Sequence, residues 1–184
     1  CYLKLHAVVN GNSETDHVEQ LIGSVYTSIQ QNFWNGEYFK TTPNMNIMCL
    51  AGNALCILFD IASKDQAHAL IAHHENIPRK IACPSSYPNF HHHVISPLML
   101  TVGLAHYHNG TIWPWVNFLF ASAMDRYGYL SNDRKNLECL MLRDAKVMEV
   151  YESNGEPLDT LFAKCELDFS EACGCYLLLN KKYL

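Results

Sequence analysis

This sequence predicts an all-α fold of helical hairpins packed side by side. Three observations support that prediction. Apolar residues recur at three- and four-residue spacing along much of the chain. Ser, Pro and Gly stand where such segments would start and stop. No stretch reads as a strand.

The elements follow in order. In ETDHVEQLIGSVYTSIQQNF, residues 14–33, Val18, Leu21, Ile22, Val25, Ile29 and Phe33 share one helical face. WNGEYFKTTPN is rich in turn residues and reads as a loop. Residues 45–61, MNIMCLAGNALCILFDI, are apolar nearly all round, which predicts a helix buried on most sides. SKDQAHALIAHHENI predicts a shorter helix capped by Ser63. Residues 78–97 hold four prolines and little periodicity, and read as a long functional loop. A helix over residues 113–127 has Pro114 in its first turn and Gly128 after its end. Ser131 or Asn132 caps the next helix, which runs to about Asp144. ESNGEP is a turn, and residues 168–179 form a last apolar helix. The sum is six or seven helices, with the aromatic and polar clusters in the loops.

The 184 residues fit one domain, residues 1–184, long enough to bury a sizeable core. Hydrophobic residues make up 49% and charged residues 17%, which predicts a globular chain. The net charge is −5 and no basic run occurs, so neither nucleic acid nor an anionic membrane is an expected partner. No apolar run reaches the roughly 18 residues of a transmembrane helix. The eight cysteines form no CxxC pair and read as buried, reduced thiols, which predicts a cytoplasmic location. The chain starts at Cys1 with no signal peptide, and we read it as part of something larger.

His91-His92-His93 lies near His106 and His108, and His73 adjoins His74, but no spacing matches HExxH or a Cys/His finger. No metal site is predicted; solvated loop histidines are the plainer reading. GxSxG, GxGxxG and GxxxxGK are absent. YHNGTIWPWVN, residues 107–117, offers flat Trp faces beside Asn, His and Tyr, which can hold a sugar ring. Core aromatics at a helix start explain the same residues equally well. Glu149 and Glu152 flank Tyr151 before a Gly turn, and a carboxylate there could activate a water; inverting glycoside hydrolysis needs one such base and one carboxylic acid. Solvated glutamates are again the plainer reading.

YHNGTIWPWVNFLFASAMDRYG is similar to the "NG-x-IWP" segment of glycoside hydrolases built on an (α/α)6 toroid. These are the glucoamylase-like, trehalase-like and glycogen-debranching (amylo-alpha-1,6-glucosidase) enzymes. FWNGEYF, MNIMCLAGNALCILFDIASKDQAHALI, MEVYESNGEPL and DFSEACGCYLLL resemble further segments of that pattern in the same order, over about residues 33 to 180. The resemblance implies an inverting glycoside hydrolase acting on α-linked glucose-type oligosaccharides, with no cofactor. It implies Glu149 as general base, with Glu152 as the alternative register. It implies that Tyr107, His108, Asn109, Gly110, Trp113, Trp115 and Tyr151 line the sugar site. A full toroid of twelve helices needs well over ~300 residues at about 1.5 Å per residue. The chain therefore resembles the C-terminal half, an incomplete toroid completed by a longer chain or by a second copy. Neither Asp60 nor Asp125 occupies the position of the family's general acid, and Phe169-Ser170-Glu171 stands where the family tends to have Trp-Ser-Ala. The competing expectation is a non-catalytic carbohydrate-binding or structural helical domain.

Overall fold

A computed structural model describes residues 13–180. Among the described residues, seven α-helices and a small antiparallel sheet make a fold that is mixed and not all-α. The chain runs α1 (Ser13–Phe33), β1 (Lys40–Thr42), β2 (Met45–Cys49), α2 (Leu50–Leu58), α3 (Lys64–Asn76), β3 (Ser86–Tyr87), α4 (Pro97–Thr101), α5 (Pro114–Asp125), α6 (Asn132–Asp144) and α7 (Ser170–Leu179).

The sheet is the main departure from the all-α expectation. The apolar run 45–61 is not one helix: Met45–Cys49 is extended and the helix starts only at Leu50. Strand β2 pairs with β1 through Lys40↔Met48 and Thr42↔Met45, and with β3 through Met48↔Tyr87 and Cys49↔Ser86. A buried side chain explains where strand becomes helix. Asn53, in the first turn of α2, accepts from Phe39 N–H at 2.8 Å and donates to Phe39 O at 2.9 Å and to Cys49 O at 2.9 Å. Those bonds satisfy the Phe39 backbone N–H and C=O and tie the chain before β1 to the first turn of α2.

Local capping chemistry accounts for the other boundaries. Ser63 accepts from Gln66 N–H while the Gln66 side chain accepts from Ser63 N–H, a complete capping box at the start of α3. Pro114 occupies the first turn of α5, where its missing N–H costs nothing. Gly128, at φ +77°, follows the end of that helix and allows the left-handed turn. Ser131 caps α6 by accepting from Arg134 N–H at 3.2 Å.

Helix α5 is the organiser, and most of its residues are buried. It packs on α2 and on α7. One face joins a core of Leu50, Ile57, Leu70, Trp113, Phe120 and Val150; the other joins Ile112, Phe118, Leu137, Met148 and Tyr151. The seven described cysteines are free, with Cys56 and Cys83 buried but Cys139 exposed, so burial does not extend to every thiol; Cys1 lies outside the described residues. Among the described residues no helix is long and apolar enough to cross a membrane.

Candidate functional site

The segment before α5 and the segment after α6 meet edge to edge. Ile112 and Tyr151 exchange both backbone hydrogen bonds at 2.8 Å, which fixes the register between residues 107–113 and 148–151. On the other side, Glu149 N–H donates to Glu166 O at 3.0 Å, and Met148 pairs with Leu167. Glu149 is thus the middle of three extended segments, and only 8% of it is exposed.

Both carboxylate oxygens of Glu149 have donors. The Tyr107 hydroxyl donates to Oε1 at 2.7 Å, and the Glu166 backbone N–H donates to Oε2 at 3.1 Å. Burial, reinforced by the bond to Glu149, raises the Tyr107 phenol above its ordinary value, so it remains a donor. Tyr107 is itself anchored. Its carbonyl accepts from Trp113 Nε1 at 2.7 Å and also from the Thr111 hydroxyl, and its ring packs edge-on against Trp113 at 5.0 Å.

His108 stacks on the Trp113 indole at 4.3 Å and 16° between planes, yet the residue stays exposed. Burial against that ring lowers its pKa, an effect the Glu149 charge opposes. Trp113 is therefore a buried second layer whose face carries His108, with Phe169 edge-on at 6.4 Å. Asn109 is buried too. Its amide oxygen accepts from Phe90 N–H and its Nδ2 donates to Phe90 O at 3.1 Å. Gly110 leaves room for the Asn89 amide, which lies 3.0 Å from where a Cβ would stand. Trp115 is half-buried against the first core. Tyr151 is fully buried in the second core and donates to Asp144 Oδ2 at 3.1 Å. Glu152 heads a turn, its N–H donating to Glu156 O at 2.8 Å. Its carboxylate takes part in none of the bonds that hold Glu149.

The structure thus brings Tyr107, His108, Trp113 and Glu149 together, and uses Asn109 and Tyr151 to hold the surrounding chain. What the arrangement offers chemically is one buried carboxylate, oriented by a phenol and a backbone donor, beside an exposed imidazole on an aromatic bed.

A second polar cluster escaped sequence reasoning. His74 and Asp133, 1% and 2% exposed, lie with Nε2 and Oδ2 3.1 Å apart. Asp133 also accepts from Arg79 Nε at 2.7 Å and from Cys83 N–H at 3.0 Å. His74 stacks on Phe120 at 4.3 Å. The cluster ties α3 and the 79–83 loop to the start of α6. Only the rarity of fully buried charged side chains could have pointed to it, and sequence does not display burial. Among the described residues, no three His, Cys, Asp or Glu side chains converge as a metal ion requires.

No protein-family model matches this chain, and no curated protein matches it.

Proposed function

We propose that this chain carries the general-base half of an inverting glycoside hydrolase acting on α-linked glucose-type oligosaccharides, within an (α/α)6-toroid arrangement of its helical pairs. Glu149 takes the proton of a water molecule as that water attacks the anomeric carbon. The bond from that carbon to the leaving oxygen breaks, and the leaving oxygen receives its proton from a carboxylic acid elsewhere in the complete enzyme. Inverting enzymes place the two carboxyl groups roughly 6.5–9.5 Å apart to admit the water. Two carboxyl groups accomplish this hydrolysis without a cofactor.

The observation that carries the reading is the hydrogen bond from the Tyr107 hydroxyl to Glu149. It joins the two segments that the sequence resemblance assigns to the sugar site and to the base. His108 is the exposed side chain next to Tyr107, and we assign it the contact with the sugar. The test is Glu149→Gln in the natural full-length polypeptide, with α-linked gluco-oligosaccharides as substrates and the product anomer followed by NMR. Turnover should fall about 10²–10⁴-fold, and the wild-type product should have inverted configuration. Turnover near wild type would remove Glu149 as the base.

One observation favours a second reading, a non-catalytic sugar-binding or structural domain: both oxygens of Glu149 are already satisfied by the protein. Oligosaccharide binding with no hydrolysis by the full-length protein would select it.

A further inference from the structure

From Ile81 through Met124 the sequence has no Lys, Arg, Asp or Glu. Five of the ten histidines, His91, His92, His93, His106 and His108, fall in that uncharged stretch. Its middle forms an arm, residues 87–106, whose two ends are held together. Ser85 N–H donates to Thr111 O at 3.1 Å, and the Ser86 hydroxyl donates to His108 O at 3.3 Å. The buried Asn109 amide grips both backbone groups of Phe90. Each of those bonds lands on the turn that carries His108. The arm is therefore fixed, at its base, to the candidate site.

Its surface is lined with imidazoles. The His91 and His93 rings lie 5.3 Å apart, and His92 stands edge-on to His106 at 6.5 Å. All four are exposed, as are Val94 and Leu98. An imidazole carries two ring nitrogens able to hydrogen-bond, which suits a hydroxyl group that both donates and accepts. The absence of any Lys or Arg removes the usual partners of phosphate and carboxylate ligands. A neutral, hydroxyl-rich ligand is what such a surface recognises. Because the arm is anchored before binding, little chain ordering remains to oppose it.

We propose that this arm is an outer sugar-binding rim. An α-linked gluco-oligosaccharide continuing from a ring held at His108 lays its hydroxyls on His91, His92, His93 and His106, and its CH faces on Val94 and Leu98. The identity of the sugar rests on the glycosidase reading of the Glu149 site; the neutral, hydroxylated class of ligand does not.

The experiment is calorimetric titration of the natural full-length protein with a linear α-glucan oligosaccharide and, in parallel, with methyl α-glucoside. The variant combines His91→Ala, His92→Ala and His93→Ala, all exposed positions. Loss of two or more hydrogen bonds should weaken oligosaccharide affinity on the order of tenfold or more, with methyl α-glucoside affinity unchanged. A companion variant with Gln at the three positions, which keeps donors and acceptors, should recover part of the loss. Wild-type oligosaccharide affinity in the Ala variant would overturn the proposal, and so would equal wild-type affinity for the two sugars. Glu149→Gln separates the two readings. If it turns over substrate like wild type while the Ala variant loses oligosaccharide affinity, the catalytic assignment falls and the rim stands.

Discussion

The Tyr107 hydroxyl and Glu149 Oε1 lie 2.7 Å apart and join segments 42 positions apart in the chain. The bond leaves Glu149 with a side-chain donor on one oxygen and a backbone donor on the other. Tyr107→Phe keeps the ring against Trp113 but removes one donor from a buried carboxylate. We expect a stability loss of about 1–3 kcal/mol, read from urea denaturation, and, on the hydrolase reading proposed above, a fall in kcat at little changed KM. Unchanged stability would show that water replaces the phenol without cost.

The His74–Asp133 pair sets a pH dependence. Burial opposes protonation of His74, but Asp133, Cys83 and Glu75 together outweigh it, and the imidazole is raised from 6.5 to about 10. A raised folded-state value means the contribution is complete below pH 6.5 and is lost as pH climbs to about 10. Burial also opposes the charge of Asp133, yet His74 and Arg79 hold its carboxyl below the usual range, so its contribution fades only in acid. Urea midpoints of the wild type should fall between neutral pH and about pH 10, and His74→Gln should flatten that slope. A wild-type profile already flat there would contradict a charged His74.

Removing Asp133 is a harsher change. It strands the His74 imidazolium and frees Arg79 Nε and Cys83 N–H in the interior. Asp133→Ala should cost about 3–5 kcal/mol, the usual result of breaking a buried ion pair from one side. Thermal unfolding at neutral pH measures it.

Helices α3, α5 and α6 were legible because their boundaries are local, whereas the short α4 was not. Ser63, Pro114, Gly128 and Ser131 each act within four residues of the chain they cap. Strand β2 was not, since Met45–Cys49 runs directly into the equally apolar Leu50–Leu58, and a short apolar run carries no decisive period. What separates them is Asn53 binding Phe39, a contact made only in the folded chain. The site divides in the same way. Tyr107, His108 and Glu149 were named from the resemblance, but sequence does not say which face of a residue is covered. Trp113 and Tyr151, which the resemblance assigns to the sugar site, are buried, a fact the sequence does not display. The His74–Asp133–Arg79 cluster depends on contacts spanning more than 50 residues, such as the 54-residue separation of Arg79 and Asp133, and no local signal marks it.

Asn109 holds the uncharged arm to the site. Asn109→Ala leaves Phe90 N–H and Phe90 O without their partner. A loss of about 1 kcal/mol follows for these half-buried backbone groups, and the arm should be cut faster by a nonspecific protease. Cleavage should concentrate within residues 87–106. An unchanged cleavage pattern would mean that Ser86 and the β3 pairing suffice to anchor it.

Trp113 separates packing from recognition. It is buried, and its face supports His108 while its indole N–H holds the Tyr107 carbonyl. Trp113→Ala opens a large cavity in the first core and should cost about 3–5 kcal/mol. Trp113→Phe retains an aromatic bed but drops the hydrogen bond, with an expected cost of about 1 kcal/mol. A sugar resting directly on Trp113 would lose affinity in both variants in proportion to the ring area removed. A sugar resting on His108 would bind the Phe variant nearly as well as wild type, because stacking still orients the imidazole. On the sugar-site reading proposed above, paired measurements of Tm and sugar affinity on the two variants decide which layer meets the sugar. The stacking of His108 over the buried indole leads us to expect the second result.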